Sequence, residues 1–331
     1  MIQAGWFSRA GSLARHGQRL RKATPLARHQ QTLVWLAVLP LGAVLLGPRV
    51  NELPRTLAAL GSVHIGWLLA AVLSAAAVYP LAAWAQMGAV SRPLAFGRTV
   101  TVQVAAMFVA QLTPQGIGGM GLNGRYLERE GVERPAAVGA VTLNLAAGAV
   151  VHVLALVLVL ALLGRSTAGY LDRLHGWPVW CLLILAVVLT GSVLYARSRR
   201  FGVPSSVYLA VHSVQQVLRR PPRAVALFGG SAGITGAYAL TLALTLSAYG
   251  VDVSPLQVLA IYLGSAAVGA LMPTPGGLGA MEGALIAGLT TLGVAFAPAL
   301  AAVSTFRLLT YWLPILPGFV AFRYLQQRRV I

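Results

Sequence analysis

The chain of 331 residues is 57% hydrophobic and only 10% charged, with a mean hydropathy of +0.76. That composition excludes a water-soluble core and reads as a multi-pass membrane protein. Lys+Arg number 25 against 7 Asp+Glu, a net +18. The basic residues cluster between apolar spans, so membrane charge asymmetry explains them and no nucleic-acid partner is expected. Cys181 is the single cysteine and the six histidines are scattered without metal-ligand spacing. Neither a disulfide framework, nor a metal site, nor a cofactor is therefore expected.

Residues 1–32 carry Arg9, Arg15, Arg19, Arg21, Lys22 and Arg28, with Trp6, Ala10, Leu13, Gly17 and Leu20 at helical spacing. They read as a basic amphipathic helix on the cytoplasmic leaflet or as a disordered basic tail. Residues 33–47 form the first span and 63–90 the second. Residues 99–112 then lead into a break, QLTPQGIGGMGLNG at 111–124, followed by the charged decapeptide 125–134, which hydrocarbon does not admit. Residues 136–163 are a long span containing Asn144 and His152, 164–176 a loop, and 177–196 another span. The segment 197–223 holds six arginines and the stripe Val207, Val211, Val214 and Leu218, the pattern of an interfacial helix. Residues 224–249 span again. A second break lies inside LMPTPGGLGAMEGALIAGLTTLG at 271–293. A last span, 298–321, precedes Arg323, Arg328 and Arg329.

The second break holds Pro273 and Pro275, the glycines Gly276, Gly277, Gly279 and Gly283, and Glu282. Proline removes a donor and glycine permits unusual backbone angles, so this sequence stops a helix. The flanks, 256–272 and 277–293, are marginal for full crossings, which need about 20 residues. Non-helical backbone at membrane depth survives only where protein or a water-filled cavity satisfies it. Two re-entrant helical hairpins are expected. The first break aligns with the second: Pro114, Gly116, Gly118 and Met120 against Pro275, Gly277, Gly279 and Met281. Paired Gly/Pro breaks in two halves point to a site at a repeat interface.

Orientation follows from charge. The N-terminus, 197–223 and the C-terminus are basic and are expected in the cytoplasm. If 99–124 crossed once, 197–223 would fall outside; as a hairpin entering from the cytoplasm it keeps all three clusters inside. The second hairpin then enters from outside. The expected architecture is an all-α polytopic integral membrane protein with inverted repeats. A single transmembrane domain covers 33–322, with repeat halves at about 63–163 and 224–322 joined by 177–196 and 197–223. A cytoplasmic tail follows at 323–331.

The motif PxPGGLGxxE, from Pro273 to Glu282, followed by RLLTYWLPILPG from Arg307 to Gly318, resembles the lysylphosphatidylglycerol synthase transmembrane, or flippase-like, family. That family includes the membrane region of the multiple peptide resistance factor. The resemblance covers roughly residues 33–322 and is carried in the first half mainly by the glycine-containing break and Arg125. It implies lipid translocation across the cytoplasmic membrane, or an accessory role in envelope lipid and glycan assembly. The sequence stops ten residues after the last span, so the family's soluble aminoacyl-transferring domain is not expected to follow. Asn144 stands where the repeat alignment places the counterpart of Arg307, so the first half need not bind charge as the second does.

Glu282 is the only acid in the second hairpin, and Arg307 lies near mid-depth of the last span. They are expected to pair in a polar cavity that receives a headgroup phosphate, with Arg307 as fork donor, or else to form a structural ion pair. Tyr311, one turn on, hydrogen-bonds in the same cavity or packs. Gly116, Gly118, Gly277 and Gly279 offer backbone N–H groups to an anion or allow close helix packing. Arg125 meets a lipid phosphate or snorkels. His152 and His212 read as packing and interface residues. No hydrolase, kinase or redox motif is present and no GK[ST] follows the glycines, so no enzymatic activity is expected. The expected function is translocation of a phospholipid or other phosphate-bearing lipid. The alternatives are a non-transporting scaffold for envelope synthesis and a small-molecule or ion transporter. Expected partners are a membrane phospholipid, anionic or phosphate-bearing, and either a second copy or an envelope-synthesis enzyme.

Overall fold

The computed structural model describes residues 63–113, 116–166, 220–272 and 274–331. The basic N-terminus, the spans expected at 33–47 and 177–196, most of 197–223 with His212, and Pro114 and Pro273 lie outside these residues. Every regular element among the described residues is helical: α1 (Ile65–Ala89), α2 (Phe96–Gln111), α3 (Ile117–Arg129), α4 (Arg134–Ser166), α5 (Pro221–Ala248), α6 (Pro255–Leu271), α7 (Ala280–Thr291) and α8 (Phe296–Gln327). α1, α4, α5 and α8 are long and apolar enough to cross a bilayer. The others, of 16, 13, 17 and 12 residues for α2, α3, α6 and α7, are shorter than a crossing of about 20 residues requires. α5 and α8 each contain one wide turn, at Val225–Gly229 and Leu308–Trp312. α8 runs to Gln327, beyond the span end expected at 321. No breaker intervenes there, and Leu325 is buried in the core.

α1 and α5 form the central antiparallel pair. The His64 N–H donates to the Ala248 carbonyl at 3.0 Å, which sets the start of α1 beside the end of α5. At the other end the backbones touch: a Cβ on Gly230 would meet Ala85 N at 2.7 Å, and one on Gly88 would strike Leu227. Small residues permit this approach. The Ser74 hydroxyl donates across the pair to the Ala237 carbonyl at 2.9 Å. Gly230→Leu is therefore expected to cost about 3 kcal/mol through overpacking. Thermal unfolding in detergent checks this against Gly236→Leu, whose added Cβ meets nothing within 4 Å.

α2 and α3 fold back on each other, tied by Gln103–Asn123 (2.8 Å) and Thr99–Tyr126 (3.0 Å). Their open end is closed by the Arg98–Glu130 ion pair at 2.7 Å. It lies at the α1-end, α5-start level, where the Arg92 guanidinium donates to the Gly131 carbonyl and that of Arg223 to the Ser91 carbonyl. α6 and α7 make a second hairpin. It opens at the opposite end, where 251–257 and 292–298 share a cleft that contains Asp252. α8 returns along α2, with Gly318 against Phe108 and Phe108 edge-on to Phe319.

Two core clusters result. One gathers Val102, Leu122, Tyr126, Leu127, Leu143, Leu227 and Leu325; the other Leu242, Leu263, Leu285, Leu289 and Phe306 with Val159 of α4. Large apolar side chains remain exposed on α1 (Leu69, Leu73), α4 (Leu154, Leu158) and α8 (Leu316, Val320), a surface suited to acyl chains.

Candidate functional site

The second hairpin turns through one short helical turn, Pro275–Gly277, before α7 begins at Ala280. Gly276 and Gly277 have φ of +60° and +67°, angles that side-chain-bearing residues resist. Space forbids a side chain as well. A Cβ on Gly276 would fall on the Tyr311 ring, and one on Gly277 would meet Gly269 Cα at 2.7 Å. Glu282, the third residue of α7, turns back on the break: its Oε2 accepts the Gly279 N–H at 2.7 Å and satisfies one orphan donor of the helix start. Its Oε1 accepts from Arg307 Nε at 2.6 Å.

Arg307 reaches the break from α8, one residue before the wide turn. Its Nη2 donates to the Gly276 carbonyl at 3.0 Å and its Nη1 approaches Met281 Sδ at 3.5 Å. The guanidinium carbon sits 4.8 Å above the Tyr311 ring. With the arginine side chain only 8% exposed and the glutamate 23%, the pair is largely withdrawn from solvent, so each group depends on the other for its charge compensation. These contacts use part of the fork; a guanidinium has five N–H donors.

The first hairpin turns in the same region. The Thr113 hydroxyl donates to the Val109 carbonyl at 3.0 Å and accepts the Gly118 N–H at 2.9 Å, while Gly116 takes φ +71°. Tyr311 stands between the two turns, its hydroxyl 3.5 Å from both the Gln111 and the Pro275 carbonyls, the outer limit for a hydrogen bond. Both breaks, Arg307, Thr310 and Tyr311 thus border one cavity of about 380 Å³, walled by Tyr238 of α5 and Tyr262 of α6. That volume lies within the range of ligand pockets.

Of the residues expected at a site, Gly116, Gly277, Arg307 and Tyr311 line this cavity. Glu282 stands behind Arg307, Gly279 binds Glu282, Gly118 binds Thr113, and Pro275 presents its carbonyl to Tyr311. Arg125 and Asn144 lie elsewhere. Arg125 is on the outer face of α3, and Asn144 Nδ2 donates to Gln86 Oε1 at 3.1 Å, joining α4 to α1. A His152 ring nitrogen meets the Leu263 carbonyl at 3.0 Å, a packing contact between α4 and α6. Gln111, Thr310, Tyr238 and Tyr262 were not expected here. For Gln111 a signal existed, a polar residue three positions before Pro114. Both its side-chain polar atoms are buried without a hydrogen-bond partner among the described residues.

Long apolar helices enclosing broken short ones, with a buried ion pair at the break, define a polytopic helical membrane protein with an internal polar site. The chain belongs to the family of the lysylphosphatidylglycerol synthase TM region, whose model matches residues 32–318. That membership sets it among membrane proteins of lipid metabolism or transport. No curated protein matches it.

Proposed function

We propose that the protein is a lipid translocase of the cytoplasmic membrane, moving a phospholipid or other phosphate-bearing lipid through the cavity at Arg307. The observation that carries this is the meeting of both broken hairpins with a buried arginine in one cavity among the spans. Irregular backbone at membrane depth is tolerated where it lines such a space. In this proposal α2–α3 and α6–α7 are re-entrant hairpins of an inverted repeat. The helix order supports that: 25, 16, 13 and 33 residues in α1–α4, then 28, 17, 12 and 32 in α5–α8. So does the opening of the hairpins at opposite ends.

The end with Arg92, Arg98, Arg223 and the chain's C-terminus is assigned to the cytoplasm, because basic residues are retained there. Arg307 contributes the N–H donors left free by Glu282 and Gly276 to a headgroup phosphate, in surroundings that strengthen a charge-assisted bond. The test is reconstitution in liposomes with labelled lipids of several headgroups. Transbilayer movement above protein-free controls is expected. Its absence under every imposed ion gradient would favour a non-transporting partner of envelope synthesis.

A further inference from the structure

A second opening lies on the outer face of α3 and α4, about 740 Å³ in volume. Ile117, Gly121, Gly124, Arg125 and Glu128 recur at helical spacing along one face of α3. Arg134, Val138 and Val141 do the same on α4. The two helices join through a turn at Gly131, so their charged ends lie together and, Thr142 apart, the groove becomes apolar away from them. It is open because side chains are missing: a Cβ on Gly121 or Gly124 would meet nothing within 4 Å.

Charge is uneven along it. Glu128 faces Arg134 at 3.6 Å, whereas Arg125 and Arg129, both exposed, make no ion pair among the described residues. From Arg129 to Ile117 the helix advances about 18 Å at 1.5 Å per residue. That is close to one leaflet's share, about 15 Å, of a 30 Å hydrocarbon core.

We propose that this groove binds one anionic glycerophospholipid, its phosphate held by Arg125 and Arg129 and one acyl chain laid over Gly121 and Gly124 toward Ile117. A cationic mouth above an apolar slot matches a phosphate joined to a hydrocarbon chain. A free anion would use the mouth alone. The groove is separate from the Arg307 cavity, and its ligand is bound whether or not that cavity transports lipid. Ile117 at its foot directly follows Gly116, which lines the cavity, so a lipid held here would lie beside the first hairpin's turn.

Native mass spectrometry of the full chain in detergent, with equal phosphatidylglycerol and phosphatidylcholine added, tests this. The parent should retain phosphatidylglycerol by about tenfold or more, given two arginines at the headgroup. Arg125→Gln with Arg129→Gln should abolish the preference and leave thermal unfolding unchanged, since neither arginine makes an ion pair among the described residues. Gly121→Leu with Gly124→Leu keeps the charges and fills the slot; it too should lose the lipid. The double variant Glu282→Gln with Arg307→Gln, which is expected to fold, should keep it, separating this groove from the central cavity. The proposal is overturned if the arginine variant retains the preference, or if the leucine variant does, which would mean adsorption to charge alone. Displacement of the lipid by millimolar inorganic phosphate, or dimerisation that the leucine variant abolishes, would overturn it as well.

Discussion

Replacing Glu282 or Arg307 singly with glutamine is expected to cut the folded yield in detergent sharply, and replacing both is expected to restore much of it. Removing one member of a buried pair costs about 3–5 kcal/mol because the other charge stays desolvated, whereas removing both is often close to neutral. In Glu282→Gln, Arg307 loses its carboxylate and keeps, among the described residues, the Gly276 carbonyl, the Met281 sulfur and the face of the Tyr311 ring. The glutamine has one oxygen to offer, while both the Gly279 N–H and Arg307 seek an acceptor. In Arg307→Gln the carboxylate retains just the helix start. Activity separates the two roles of the pair. If it only fastens the hairpin to α8, the double variant regains transport with its fold. If Arg307 meets the headgroup, the double variant folds and stays inactive, and Arg307→Lys folds with strongly reduced transport because the planar fork is lost. The proposed translocase predicts the second pattern.

Gly277→Leu is the other substitution with a large expected effect. The residue has φ +67°, and a Cβ there would meet Gly269 Cα at 2.7 Å and its carbonyl oxygen at 2.8 Å. Backbone strain of about 1–3 kcal/mol adds to an overpacking penalty of similar size. The opposing atoms are backbone, so rotamer changes do not relieve the clash. Loss of about 3 kcal/mol or more is expected, read as a fall in thermal stability and yield. Gly116→Leu should cost less. Its φ of +71° carries the same strain, but its Cβ would meet only the Ala110 methyl at 3.7 Å. Gly264→Ala, mid-helix with nothing within 4 Å, should be neutral or stabilising by up to about 1 kcal/mol. Equal behaviour of the three variants would remove the glycines at the breaks from any special role.

The helices and both breaks were readable from the residues because length, hydropathy and Gly/Pro chemistry are local properties. The Glu282–Arg307 pair was readable too, since a lone acid and a lone arginine in apolar segments need compensation. What surrounds them was not. Helices such as α4, α5 and α6 are apolar on every side, so periodicity does not say which face turns inward. Tyr238 and Tyr262 therefore gave no sign of walling the cavity. Asn144 held the repeat position of Arg307, yet it binds Gln86, because a short amide on α4 meets α1 before it can reach the breaks. Arg125 follows the first break closely in sequence, but the turn of α3 carries it to the outer face. Gln111 carried a signal as a polar residue three positions before Pro114, but its place in the cavity depends on α8, which brings Tyr311 against its carbonyl.

Side-specific cysteine labelling tests most directly whether two hairpins enter from opposite faces to meet at Arg307. Arg129, after the first hairpin, and Asp252, before the second, are replaced by cysteine one at a time, with Cys181→Ser removing the background. An impermeant maleimide is applied to intact cells and to inside-out vesicles. Arg129→Cys should label only from the cytoplasmic side and Asp252→Cys only from outside. Labelling of Arg129→Cys from outside would mean that α2 and α3 cross the membrane once, which contradicts the re-entrant arrangement and the inverted repeat with it.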